Sequence, residues 1–86
     1  MAVLVRMVAA GMDTAAYDDV STFLVKQVRK QPGFMLHVGY PSPGGFFVEE
    51  VWENQSQFEK WLNQNIKPNV PDVQHEVIEL HDVVQP

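Results

Sequence analysis

The sequence predicts an α+β fold with the element order β-α-β-β-α-β, and two observations lead to it. The stretch from Pro32 to Trp61 contains a turn, a strand, a short proline–glycine connection, a second strand and the start of a helix. One strand–helix unit precedes this stretch and one more strand follows it. That order is typical of the ferredoxin-like arrangement, a four-stranded antiparallel sheet with two helices on one face.

The first strand and the first helix are predicted from residue type and spacing. Ala2 to Val8 is rich in β-branched residues, which favour a strand. Asp13 or Thr14 is the expected N-cap of the helix, because a side-chain oxygen there accepts hydrogen bonds from free backbone N–H groups. Apolar residues then recur at helical spacing to about residue 30: Tyr17, Val20, Leu24 and Val28. Pro32 and Gly33 stop the helix and turn the chain.

A hairpin follows the first helix. The predicted strands are Phe34 to Tyr40 and Phe46 to Glu53, and PSPGG between them is short enough for a hairpin loop, with glycines available for positive φ. If Tyr40 pairs with Phe46, then His37 lies opposite Glu49.

The second helix and the last strand complete the predicted sheet and its cover. Asn54 is the expected N-cap, and Gln57 three residues later occupies the capping-box position. Pro68 disfavours helical geometry at Lys67, so we expect the helix to end there. Gln74 to Val83 is the predicted fourth strand.

Composition indicates one domain over residues 1–86 and excludes several kinds of function. The net charge is −5 with six Lys and Arg residues, which disfavours nucleic acid and anionic membranes as partners. The absence of cysteine excludes disulfides and thiolate chemistry. The N-terminal segment lacks a basic signal-peptide region and no apolar stretch has the length of a membrane span, so a cytoplasmic location is expected.

His37 and Arg6 are the residues that suggest chemistry. A carboxylate partner such as Glu49 orients an imidazole as a general base working near neutral pH, whereas the structural alternative is a polar pair that stabilises the hairpin. Arg6 lies in an apolar strand expected at the centre of the sheet and needs Glu49 or Glu50 as a partner. Its functional role would be to stabilise an anion or enolate, and its structural role an ion pair.

Aromatic residues and the last strand offer further candidates. Trp61, Trp52 and Tyr17 are candidate substrate-binding residues, although residues at such spacing more commonly pack in a core. His75, Glu79 and His81 lie on one side of the predicted last strand. Positions 75 and 81 are too far apart on a straight strand to share an ion, at about 3.3 Å per residue. No metal site is therefore expected.

Three short segments resemble the antibiotic biosynthesis monooxygenase-like proteins: PGF at 32–34, VWEN at 51–54 and FEKW at 58–61. The element order extends this resemblance to the whole chain. It implies a dimeric α/β barrel, a homodimer with facing sheets and an apolar cavity in each protomer between sheet and helices. Such proteins use the cavity for cofactor-free oxygenation of aromatic polyketides, for haem degradation or for isomerisation, and some have no identified activity.

The resemblance also implies which activity to expect. Haem-degrading members combine a first-strand asparagine, a helical tryptophan and a histidine ligand about ten residues later. Here Trp61 matches, but Arg6 and Pro71 stand at the other two positions, so haem degradation is disfavoured. Cofactor-free oxygenation would use His37 as base, Arg6 as enolate stabiliser and the tryptophans as walls, with no cofactor. A small-molecule-binding protein without activity and a purely structural dimer remain the alternatives.

Overall fold

One antiparallel sheet of four strands carries the helices on one of its faces in the computed structural model, which describes residues 1–86. The elements, in chain order, are β1 (Val3–Ala10), α1 (Thr14–Val28), β2 (Phe34–Ser42), β3 (Gly45–Trp52), α2 (Gln55–Trp61), a π-helical segment (Leu62–Ile66), α3 (Lys67–Asn69) and β4 (Gln74–Glu79). The strand order across the sheet is β2-β3-β1-β4. The predicted ferredoxin-like order of elements is confirmed.

Both helices begin at the predicted caps. The Asp13 side chain accepts a hydrogen bond from the Ala16 N–H at 2.8 Å, and the Asn54 side chain accepts one from the Gln57 N–H at 2.9 Å. Each bond satisfies a backbone donor that has no partner within its helix. The capping-box half of the prediction is wrong for Gln57, because its side-chain oxygen is buried without a hydrogen-bond partner. The Gln57 amide instead fills the space that a side chain at Gly33 would need.

The second helix continues past the predicted end at Lys67. The Lys67 N–H donates to the Leu62 carbonyl, five residues earlier, and a further helical turn runs to Asn69. A proline ring inside a helix clashes with the carbonyl four residues before it, and it removes one hydrogen bond. The wider π turn ahead of Pro68 provides a place for that ring, so the proline interrupts the α-helical pattern without ending the helix.

The β2–β3 hairpin is tighter than predicted. Both strands extend into the PSPGG segment, so only Pro43 and Gly44 form the turn, with a φ of +91° at Gly44. Tyr40 consequently pairs with Phe47, and the predicted pairing of Tyr40 with Phe46 is wrong by one residue. Successive side chains alternate between the two faces of a strand, so this shift turns the β2 side chains to opposite faces. A bulge between Phe34 and Leu36 then restores the predicted Phe34–Trp52 pair.

The core lies between the sheet and the helices. Its ten buried apolar residues are Val3, Val5, Met7, Leu24, Val28, Trp52, Phe58, Trp61, Leu62 and Ile66. The opposite face of the sheet has no covering layer in the protomer, and it exposes Leu36, Val38 and Ile78. The last strand ends at Glu79, earlier than the predicted Val83, so His81 lies outside the sheet. No helix has the length and apolar character needed to cross a membrane.

Candidate active site

An apolar cavity opens between α1, the sheet and the second helix. Fourteen of its seventeen lining residues are hydrophobic. The other three are Ser21, His37 and Glu50, and Tyr17, one of the fourteen, adds a hydroxyl group. A few polar groups converging in an apolar pocket are typical of small-molecule sites.

Tyr17, His37 and Glu50 form a hydrogen-bonded chain that ends on a tryptophan. The Tyr17 hydroxyl lies 2.8 Å from His37 Nε2, and His37 Nδ1 lies 2.7 Å from Glu50 Oε2. The Trp52 indole N–H donates to the other carboxyl oxygen, Glu50 Oε1, at 3.0 Å. The chain therefore runs from the cavity into the core and leaves neither oxygen of Glu50 without a partner.

The chemistry of the partners assigns the protons along this chain. The indole N–H of Trp52 is only a donor, so Glu50 accepts on Oε1, and as a carboxylate it also accepts on Oε2 from His37 Nδ1–H. His37 Nε2 is then free to accept a hydrogen bond from the Tyr17 hydroxyl. Burial, followed by the negative charges of Glu50 and Asp18, raises the pKa of Tyr17, while a hydrogen bond with Ser21 opposes the shift. Tyr17 accordingly remains a phenol and a donor at neutral pH.

Local structure explains why these four side chains meet. Glu50 and Trp52 are two residues apart in β3 and so share the helix-facing side, and the observed register places His37 beside Glu50. Tyr17 lies in the first turns of α1, and its ring stacks on Phe46 with centroids 3.8 Å apart and planes 12° apart. The stack directs its hydroxyl towards β2.

Trp61 supplies a further polar group. It is only 2% exposed and lines the cavity, and its indole nitrogen is buried with no hydrogen-bond partner. A buried donor without a partner is energetically costly in a folded protein. The Trp61 indole is therefore an unsatisfied donor in a residue that lines the cavity.

The structure brings some of the predicted site residues together and separates others. His37, Tyr17 and Trp61 all line the cavity, and Trp52 lies behind it, fully buried, in contact with Glu50. The predicted pairing of His37 with Glu49 is wrong, because the one-residue shift in register places Glu50 beside His37 instead.

Arg6 and Glu49 lie on the outer face of the sheet, away from the cavity. Arg6 Nε lies 3.7 Å from Glu49 Oε1, and Arg6 Nη1 donates to Glu76 Oε1 at 3.2 Å. The Tyr40 hydroxyl donates to Glu49 at 2.8 Å. The expected ion pair of Arg6 with Glu49 is therefore present, whereas the expected position of both residues in the cavity is not.

Glu50 is the site residue that the sequence did not single out as the partner of His37. Its signal was visible, since it interrupts an otherwise apolar alternation on β3: Phe46, Val48, Glu50 and Trp52. A carboxylate on the core side of a strand requires donors, and His37 on the neighbouring strand was the available one. No group of three or more His, Asp or Glu side chains is arranged to hold a metal ion.

Comparison with solved structures places the architecture among known proteins. Rv0793 from Mycobacterium tuberculosis aligns with a TM-score of 0.77 at 14% identity, covering 99% of this chain and 100% of that one. SnoaB, a cofactor-independent oxygenase from Streptomyces nogalater, aligns with a TM-score of 0.70 at 16% identity, covering 99% and 97%. A candidate antibiotic biosynthesis monooxygenase from Nitrosomonas europaea aligns with a TM-score of 0.70 at 16% identity, covering 95% and 100%.

The chain has the fold of the antibiotic biosynthesis monooxygenase-like proteins. At these identities the likeness establishes the fold and not the reaction. No protein-family model and no curated protein matches the chain by sequence.

Proposed function

We propose that the protein is a cofactor-independent monooxygenase that acts on a small hydroxylated aromatic molecule in its apolar cavity. The observation that carries this proposal is the partly buried hydrogen-bonded chain from Tyr17 through His37 to Glu50, whose three residues line the cavity. The likeness in fold to SnoaB, a cofactor-independent oxygenase, supports it.

In this reaction the hydrogen-bonded chain removes a proton from the substrate. A substrate hydroxyl donates its proton to the Tyr17 oxygen while the Tyr17 proton passes to His37 Nε2, which is 2.8 Å away. Glu50, buried at 2.7 Å from Nδ1, stabilises the imidazolium that forms. This is the logic of a general base oriented by a carboxylate, with a phenol as the relay.

The electrons for oxygen reduction come from the substrate in this proposal. The deprotonated aromatic delivers electrons to O₂, a carbon–oxygen bond forms at an activated methylene, and loss of water leaves a carbonyl. The overall change is CH₂ + O₂ → C=O + H₂O, in which one oxygen atom enters the product and the other becomes water. The protein supplies proton transfer, orientation and exclusion of bulk water.

Trp61 and the apolar walls have a binding role in this reaction. The unpartnered indole N–H of Trp61 donates to the oxygen that becomes negative when the substrate loses its proton. A fixed donor in a cavity shielded from water stabilises such a charge more strongly than water-exposed donors do.

Binding without turnover is the second candidate. It is favoured by one observation, that the Tyr17 hydroxyl occupies His37 Nε2, the nitrogen that a base would use to contact a substrate directly. A protein of this kind would hold the aromatic molecule through the apolar walls and Trp61, with the Tyr17–His37 bond serving only to order the pocket.

A homodimer belongs to the proposal. The outer face of the sheet is open and carries exposed Leu36, Val38 and Ile78 around the Arg6 ion pairs. A second copy covering this face would bury apolar surface that a lone protomer leaves in water.

Oxygen consumption with 1,8-dihydroxyanthrone, which carries an acidic methylene and two hydroxyls, tests the proposed reaction. His37→Ala is expected to lower turnover by about 10²-fold or more, the usual contribution of a general base. Tyr17→Phe is expected to lower it as well, because the relay oxygen is lost. His75→Ala is the matched control, because His75 is exposed and is not part of the hydrogen-bonded chain, and this variant should retain activity.

Ligand affinity separates the two candidates in the same experiment. Retained affinity for the anthrone with lost turnover in His37→Ala supports the oxygenase. Affinity without turnover in the unmodified protein favours binding alone. Equal turnover in His37→Ala and the unmodified protein would exclude the proposed base.

A further inference from the structure

Gly39 lies directly beneath the phenol of Tyr17. It is two residues beyond His37 in β2, so both residues occupy the helix-facing side of that strand. A Cβ atom at Gly39 would lie 2.8 Å from the Tyr17 hydroxyl oxygen, 3.2 Å from Tyr17 Cζ and 3.1 Å from Phe46 Cε1. The first of these separations is shorter than real Cβ contacts, so one of the two groups would have to move.

The phenol is held on three sides by this arrangement. Its ring stacks on Phe46 at 3.8 Å between centroids, its hydroxyl passes over Gly39, and the same hydroxyl reaches His37 Nε2 at 2.8 Å. Moving the hydroxyl away from Gly39 therefore disturbs its bond to His37, because one atom makes both contacts.

We propose that Gly39 is a positioning residue for the Tyr17–His37 hydrogen bond. Because Gly39 has no side chain, the Tyr17 phenol has the space it needs to reach His37. Its link to activity rests on the proposed function, whereas its effect on Tyr17 does not. Gly39 lies within β2 and its φ is outside the left-handed region, so alanine fits the backbone there and acts through its methyl group alone.

Titration of the Tyr17 phenol by ultraviolet absorbance tests this positioning directly. The chain has two tyrosines, so a Tyr40→Phe background leaves Tyr17 as the only phenol that titrates. In that background the pKa of Tyr17 is expected above the ordinary value of 10.0, because the phenol is partly buried beside Glu50. Adding Gly39→Ala should return it towards 10.0, since the displaced hydroxyl meets solvent. Adding Val38→Ala, which alters the other face of β2, should leave it raised.

An unchanged, raised pKa of Tyr17 in folded Gly39→Ala would overturn the proposal. This readout needs no substrate, so it distinguishes failure of the positioning role from failure of the proposed oxygenase. If the pKa of Tyr17 changes as expected while neither the unmodified protein nor any variant consumes oxygen, the positioning role of Gly39 is supported and the proposed oxygenase activity is excluded.

A double-mutant cycle in thermal unfolding keeps the test decisive if Gly39→Ala folds poorly. Removing the hydroxyl with Tyr17→Phe removes the 2.8 Å conflict, so the loss in unfolding temperature caused by Gly39→Ala should be smaller in the Tyr17→Phe background. An equal loss in both backgrounds, or failure of the double variant to fold, would overturn the proposal, because the methyl group would then conflict with something other than the hydroxyl.

Discussion

Glu50 is the only charged residue among the buried ones, with 2% of its surface exposed. Burying a carboxylate is costly unless donors surround it, and here His37 and Trp52 each supply one. A hydrophobic residue at position 50 would avoid that cost. The Glu50 carboxylate instead orients the imidazole of His37 through Nδ1 and leaves Nε2 on the cavity side of the ring. The proposed base requires this orientation.

Replacing Glu50 separates charge from hydrogen bonding. Glu50→Ala is expected to destabilise the fold by about 1–3 kcal/mol, because it leaves the buried Trp52 donor and the partly buried His37 donor without an acceptor. Glu50→Gln retains one acceptor oxygen and nearly the same volume, so its loss in the free energy of unfolding should be clearly smaller. Denaturant unfolding monitored by tryptophan fluorescence measures both. Equal losses in the two variants would show that the hydrogen bonds to Glu50 contribute little.

A histidine–carboxylate pair at the site could be predicted from the sequence, but the residues that bond to His37 could not. A histidine on one strand and carboxylates on the next predict a His–carboxylate pair whichever carboxylate is chosen. Choosing between Glu49 and Glu50 depends on a hairpin register that a single residue in the turn decides. The bond from Tyr17 was beyond prediction because it joins a helix to a strand across the core, and no local spacing reports such a contact.

At the scale of elements, side-chain caps and turns set where helices begin, and packing sets where they end. Asp13 and Asn54 start their helices as the sequence predicts, because a cap acts on backbone groups two or three residues away. Pro68 fails as a stop signal because Leu62 and Ile66 are buried, and the π turn between them keeps both in the core. Tertiary packing there prevails over a local preference.

The Asn54 cap offers a test at this scale. Asn54→Ala is expected to lower the free energy of unfolding by about 1 kcal/mol, since the Gln57 N–H loses its acceptor at the start of the helix. Asn63→Ala, an exposed position in the same helical run, is the control and should be neutral or slightly stabilising because alanine favours helices. Thermal or denaturant unfolding of the two variants gives the comparison. A loss of the same size at Asn63 would argue against a specific capping effect.

At the scale of the whole molecule, the two faces of the sheet differ in their cover. One face packs against the helices and contains the cavity, whereas the other holds the Arg6, Glu49 and Glu76 ion pairs among exposed apolar side chains. Exposed ion pairs of this kind add little stability to a protomer. Covered by a second copy, the same charges would fix the alignment of the two sheets, which is the role that charged groups commonly have in interfaces.

A charge introduced on the outer face of the sheet tests the proposed homodimer. Native mass spectrometry of the unmodified protein is expected to give twice the protomer mass of 9.8 kDa. Leu36→Glu, at a residue 51% exposed on the outer face, should yield monomers by burying an unpaired charge on the face that also carries Glu49 of the neighbouring strand. Phe23→Glu, at a residue 59% exposed on α1, is the control and should remain dimeric. A monomer for the unmodified protein at micromolar concentration would exclude the dimer.

The pairing of β1 with β4 has a consequence for how the chain can be connected. The Leu80 N–H donates to the Ala2 carbonyl at 2.9 Å, so the two ends of the sheet-forming sequence are neighbours in one ladder. A short linker across this junction would allow circular permutation, with new termini opened at the exposed Pro43–Gly44 turn. Such a chain would preserve every strand pairing and the cavity, while freeing β2 from its covalent link to β3.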